Sequence, residues 1–149
     1  MLKELKMSKI INSQVISYLK TSPRNRIIIH QGKFDELAYL DIGVEFSKLL
    51  KPIVNTKHLS FKAQNLLNDL LLSFISKHLE LGEILSLTNY GILFEKELNI
   101  DIIAMFDKYS KNLTLILDWQ GEIENDILYY LDKQSNIKID MNSINHLII

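Results

Sequence analysis

Four residues of this chain have the types and positions to do chemistry at one end of an α/β sheet: His30, Gly32, Lys33 and Asp118. Gly32-Lys33 follows the apolar run RIIIH (26–30), where a nucleotide-binding domain carries its phosphate loop. Such a loop turns several backbone N–H groups toward one point, so it needs glycines. It then needs a lysine for the outer phosphates and a hydroxyl for magnesium. The spacing G-x-x-x-x-G-K-[ST] supplies all three. Here Phe34 stands where the hydroxyl belongs, and Ile27 where the first glycine belongs. The turn reads as a tight strand connection with a solvated lysine. Gly32 and Lys33 are the weak candidates for nucleotide contact.

A magnesium–phosphate site also needs an acidic residue at the end of a buried strand. The segment EILSLTNYGILF (83–94) offers Thr88-Asn89-Tyr90 at that tip, all neutral. The two absences are largely independent, and together they argue against ATP hydrolysis. No metal site and no cofactor is expected.

LDWQGE (117–122) is the most distinctive hexapeptide. Asp118, at the mouth of a strand, can cap a neighbouring backbone or act as a catalytic group, since ligands of open α/β sheets bind at this carboxyl edge. Trp119 shares the rim and can pack under a loop or face a partner. Gly121 permits a sharp turn. His30 ends the first strand at the same edge, so His30 and Asp118 are expected neighbours, either a structural hydrogen bond or a base and its orienter. Trp119, Asp118, Glu122 and His30 form the candidate partner-binding surface. The other histidines, His58, His78 and His146, have no second ligand at metal spacing. Serines lack a G-x-S-x-G elbow. The carboxylates Glu95, Glu97, Asp101 and Asp107 read as a solvated acidic face, with Asp101 suited to a first helical turn. Lys20, Arg24 and Arg26 are the only basic grouping, a thin basis for DNA binding.

The elements that must position these groups follow from periodicity. Apolar spacing over 2–20 predicts an amphipathic helix that TSPRN (21–25) ends, because Pro23 cannot continue it. RIIIH is β-branched and apolar on both faces, as in a central strand. KFDELA (33–38) reads as a helical turn or two, YLDIGV (39–44) as a second strand, and EFSKLLK (45–51) as a short helix stopped by Pro52. Residues 60–80 predict a helix with Ser60 as N-cap and Gly82 at the C-cap. EILSLT (83–88), GILF (91–94) and LTLILDW (113–119) read as strands, and Asp101 to Tyr109 as a helix. ILYYLD (127–132) and IKIDM (137–141) form a terminal hairpin. Strands alternating with helices argue for α/β class: a three-layer sandwich with a mainly parallel, P-loop-NTPase-like sheet and a C-terminal β-hairpin.

The 149 residues suit one domain, 1–149, with the P-loop-like core over 26–131. A net charge of −1 argues against a strongly basic nucleic-acid binder. The absence of cysteine excludes disulfides, zinc–thiolate sites and thiol catalysis, and it fits a reducing cytosol. Neither a signal peptide nor a membrane anchor is visible, so a cytoplasmic location is expected. The amphipathic helix at 2–20 could also pack between chains, giving a homo-oligomer.

The segment ILFEKELNIDIIAMFDKYSKNLTLILDWQGEI…LYY resembles the small P-loop subunit (the F subunit) of BREX-type phage-exclusion systems. The matching pieces are Ile92-Leu93-Phe94, Leu98, Ser110-Lys111-Asn112, Leu113 to Leu117, Trp119-Gln120-Gly121 and Leu128-Tyr129-Tyr130, with YLDIGVEFSKLL (39–50) fitting the second strand and helix. The resemblance covers roughly 25–131. Such relatives carry a glycine-rich loop and an acidic strand end, and this chain has neither. The resemblance implies a degenerate member that keeps the fold without the nucleotide, acting as a non-catalytic accessory subunit bound to larger proteins of a bacterial antiphage assembly, with nucleic acid met only indirectly. Two alternatives remain open: an enzyme or nucleotide binder with a rim site of His30, Lys33 and Asp118, or a DNA-binding accessory using Lys20, Arg24 and Arg26.

Overall fold

A computed structural model describes residues 13–149. Its centre is the expected mainly parallel sheet. β1 (Ile27–His30), β2 (Leu40–Asp41), β4 (Gly82–Thr88), β5 (Thr114–Asp118) and β9 (Leu147–Ile148) stand in the order β2-β4-β5-β1-β9. β3 (Ser76–His78) adds antiparallel to the first half of β4, and β2 takes the second half of the same edge. β1 and β5 are the inner pair, buried on both faces. Their alternation divides the core. Ile27, Ile29, Leu115 and Leu117 face the larger cluster, while Ile28 and Ile116 face the smaller.

Helices cover the two faces unequally. α2 (Ile42–Leu50), α3 (Leu59–Ser73) and α4 (Ile102–Ser110) bury Phe46, Leu71 and Phe106 in the larger cluster. The other face is covered by α1 (13–20) through Val15, together with Phe34 of the loop after β1. This gives three layers. Residues 2–12 of the expected first helix lie outside the described residues. Among the described residues, no helix is long and apolar enough to cross a membrane.

A second, antiparallel sheet joins β6 (Ile123–Glu124), β7 (Ile127–Tyr129) and β8 (Lys138–Asp140). The expected hairpin is its β7–β8 half, with Tyr129 opposite Lys138. The β6–β7 half rests on Asn125 and Asp126, both at positive φ (53° and 61°). Two consecutive left-handed residues make the twist-matched two-residue hairpin turn, and Asn and Asp tolerate that conformation best after glycine.

Several boundaries differ from expectation. The 33–38 segment makes a turn, Leu37 N–H to Phe34 carbonyl, with no helix. The second strand stops at Asp41, because its carboxylate accepts from Val44 N–H and starts α2 three residues early. Ser60 is not the N-cap: His58 holds that place at φ +59°, and Ser60 Oγ donates to the Leu98 carbonyl. The 60–80 helix ends at Ser73. Its expected last turn is instead β3 and a tight turn, closed by His78 Nδ1 accepting from the N–H groups of Glu80 and Leu81. Gly82 at φ +76° serves that hairpin and not a helix end. GILF (91–94) is a 3-10 turn, following the break at Asn89 (φ +64°). Asp101 does cap α4, accepting from Ala104 N–H.

Candidate functional site

The parallel strands β1, β2, β4 and β5 end in His30, Asp41, Thr88 and Asp118. Register pairs His30 with Asp118 and Asp41 with Thr88. By strand alternation all four lie on the α1 side of the sheet, opposite the larger core. One sheet edge therefore collects the polar strand ends.

Asp118 is its centre and only 1% exposed. One carboxylate oxygen accepts from Gly32 N–H (3.1 Å) and Gln120 Nε2 (2.6 Å), and the other accepts from the Thr88 hydroxyl (2.8 Å). All three donors are neutral. Gly32 reaches its place at φ +119°, where a side chain would strain the backbone. The only lysine of the turn, Lys33, is exposed, with Nζ 5.9 Å from the Tyr39 ring centre. His30 does not hydrogen-bond to Asp118: its Nδ1 meets the Gly32 carbonyl (3.0 Å) and its ring stacks on Phe34 at 4.3 Å.

Trp119, expected at a contact surface, is buried at 2% exposure. Its backbone N–H continues the β1–β5 ladder onto the His30 carbonyl, and its indole donates to the Tyr129 carbonyl (3.1 Å). It also packs against Tyr90, ring centres 5.0 Å apart. The indole is thus the joint between the two sheets. Glu122 has an exposed side chain, and its backbone pairs with Leu131 and Tyr129 in the second sheet.

The N-terminus of α2 opens on the same edge, but it is already closed. Val44 N–H donates to Asp41 and Gly43 N–H to the Asn89 carbonyl, while Asn89 Nδ2 bonds Asp41 at 2.8 Å. Above these groups lies a cleft of about 490 Å³, walled by Lys33, Asp41, Asp118, Tyr130 and Asp132 among others. Tyr39 and Tyr90 stand around Asp118. Burial, and then the Asp118 charge, push the Tyr39 hydroxyl up to about 12, against the help of the Phe34 N–H it accepts. Burial first, then Asp118, push Tyr90 well above its ordinary value.

The sequence brought His30, Gly32, Lys33 and Asp118 to this edge. It placed Asn89 at a neutral strand tip, but it did not indicate Tyr130 or Asp132, which complete the cleft from the second sheet. The Asn125-Asp126 pair, a good hairpin turn, was the one signal that could have brought Tyr130 back over the sheet. The basic grouping is not an open patch: Arg26 bridges Thr114 Oγ1 (3.0 Å) and the Leu81 carbonyl (3.1 Å). Arg24 lies 3.9 Å from Asp107. Among the described residues, no cluster of three or more His, Asp or Glu side chains is arranged to hold a metal ion.

No protein-family model, curated protein or solved structure gives a match to the chain.

Proposed function

We propose that this protein is a non-catalytic, partner-binding subunit of a bacterial antiphage assembly, built on a P-loop-like sheet that no longer holds a nucleotide. The resemblance to the small P-loop subunit of BREX systems supplies the setting. The observation that carries the non-catalytic part is the Gly32 N–H: it donates to the buried carboxylate of Asp118. In a phosphate loop that N–H would face the phosphates. Here a fixed anion of the protein takes it, and a triphosphate brought there would meet like charge in a poorly solvated setting. The loop also runs on to β2 without a helix, so no helix N-terminus follows it.

The alternative of a rim enzyme built from His30, Lys33 and Asp118 has less support. The His30 ring engages Gly32 and Phe34, and among the described residues Lys33 has no carboxylate or base at hydrogen-bond distance. DNA binding through Lys20, Arg24 and Arg26 loses Arg26 to its internal bridge.

The test is calorimetric titration with Mg-ATP, alongside co-purification with the products of neighbouring defence genes. The expected outcome is no nucleotide binding below about 1 mM and recovery of a larger partner. Micromolar Mg-ATP affinity that Lys33→Ala abolishes would overturn the reading.

A further inference from the structure

Resting on that partner-binding reading, we propose where the partner docks and what it presents: an extended segment with a basic side chain, best an arginine, seated in the cleft over Asp118, and apolar side chains laid in the adjoining groove.

The groove is the larger depression, about 1120 Å³, between α2, the 3-10 turns at 91–98 and the second sheet. It shares Asn89 and Tyr130 with the cleft, so the two are one continuous surface. Three large apolar side chains on its walls stay substantially exposed: Val44 (45%), Val54 (54%) and Ile137 (40%). Apolar exposure gathered around one groove marks an interaction site more than the same residues scattered would. Tyr130 packs on Phe94 at the junction, ring centres 5.6 Å apart, so an aromatic pair separates the apolar part from the charged part.

Charge then says what enters where. The groove walls are balanced, with Lys51 and Lys96 against Glu95 and Glu97. The cleft is not: Asp41, Asp118 and Asp132 face a single lysine, Lys33. Asp41 and Asp132 each place one carboxylate oxygen on backbone N–H groups of their own turns. Among the described residues no cationic group hydrogen-bonds Asp118, and it is the most buried of the three. A buried carboxylate held only by neutral donors retains much of its charge uncompensated, and a cation in the adjoining space is favoured. The aromatic walls, Tyr90, Trp119 and Tyr130, suit a planar guanidinium better than a compact ammonium. The excess negative charge excludes an acidic segment.

The experiment uses the full chain and a set of capped, fluorescein-labelled nonapeptides. Each has a central arginine and Leu, Ile or Phe two and four residues away on one side. Controls replace arginine with citrulline, or the apolar residues with serine. Trp119 is the only tryptophan in the chain, so its emission reports on the cleft in parallel with peptide anisotropy. The arginine peptides are expected to bind, and each control to weaken binding about tenfold or more. Val54→Asp should weaken it by a similar factor. Asp118→Asn should remove the preference for arginine over citrulline while the protein stays folded. Lys33→Ala is the sharpest arm: it removes the competing cation and should strengthen arginine binding, the opposite of its effect on a phosphate site. Equal binding of citrulline and arginine peptides, or weaker binding in Lys33→Ala, overturns the proposal. If neither the peptides nor Mg-ATP bind, the docking site is wrong and the non-catalytic reading survives. Mg-ATP binding lost in Lys33→Ala overturns both.

Discussion

The two ends of the parallel sheet each carry a cavity of similar size, about 570 Å³ at the amino end and 490 Å³ at the carboxyl end. At the amino end the charges answer one another. Asp107 accepts from Asn25 Nδ2 (3.0 Å), pairs with Lys111 (3.0 Å) and lies near Arg24 (3.9 Å). The Asn25 hydrogen bond and then Lys111 hold its carboxyl below the usual aspartate range. Arg26 is bound into the fold by Thr114 and Leu81. At the carboxyl end the network around Asp118 is just as complete in hydrogen bonds, but among the described residues it contains no opposite charge. Cavity size therefore does not separate a functional end from a structural one here. The state of the charges does differ between them, and the docking proposal for the carboxyl end rests on that difference.

The largest expected effect breaks the joint that makes the carboxyl cleft at all. A Cβ on Gly121 would fall on the Tyr129 carbonyl oxygen, the same atom that accepts the Trp119 indole N–H. Relief requires moving the second sheet away from the first. Gly121→Ala should cost more than about 3 kcal/mol, because backbone and buried indole are displaced together. Urea denaturation measures it. A loss under about 1 kcal/mol would mean that the second sheet does not depend on this corner.

Next comes a direct contrast of the two ends. Asp118→Ala leaves the Gly32 N–H, the Thr88 hydroxyl and the Gln120 amide without their acceptor, and should cost about 2–4 kcal/mol. Asp118→Asn keeps an acceptor oxygen and offers an amide to Thr88, whose hydroxyl can rotate to accept, so it should stay within about 1 kcal/mol of the parent. Arg26→Met at the amino end removes the donor from the Leu81 carbonyl and from the Thr114 hydroxyl, two acceptors on buried residues against the three groups that Asp118→Ala orphans, and should cost about 1–3 kcal/mol. Thermal and denaturant melts of the three variants rank them. Arg26→Met exceeding Asp118→Ala would reverse the assignment of the tighter network.

How far the sequence foretold this contrast depends on the range of the interactions. The β-branched run of β1, the apolar run of β5 and the Asp101 cap are local signals, and each stands close to its expected place. Asp118 at a strand mouth was legible for the same reason. The 60–80 helix failed at its end because Ser76 to His78 gain a strand partner in β4, a tertiary pairing that helical periodicity cannot see. β9 was missed likewise: two residues pair with β1 from more than a hundred positions away. The cleft needed Tyr130 and Asp132 beside the Asn89 strand end, and only the β6–β7 turn and the Trp119 joint bring those two there. Burial of Trp119 was one of two open readings, because a tryptophan beside a rim aspartate reads equally well facing in or out.

The smallest effect is also the most specific to one end. Tyr39 near the carboxyl edge is raised to about 12 by burial, with Asp118 as a further cause, whereas Tyr18 near the amino end is raised by burial alone. Tyr18 donates its hydroxyl to the Asn25 carbonyl, away from any such carboxylate. In the unfolded chain both ionise near the ordinary value of 10.0. Below that value both states keep the proton, and the stabilising difference is fully present. As the pH rises from about 10 to about 12, the unfolded chain loses the Tyr39 proton first, so stability falls through that window and levels off above it. Tyrosinate absorbance on the parent and on Tyr→Phe variants assigns each step. Asp118→Asn should then lower the Tyr39 step and leave the Tyr18 step in place, because only Tyr39 feels the removed charge. An equal shift of both steps would mean that the substitution had loosened the fold generally, and that the unpaired charge at the carboxyl end does not act locally.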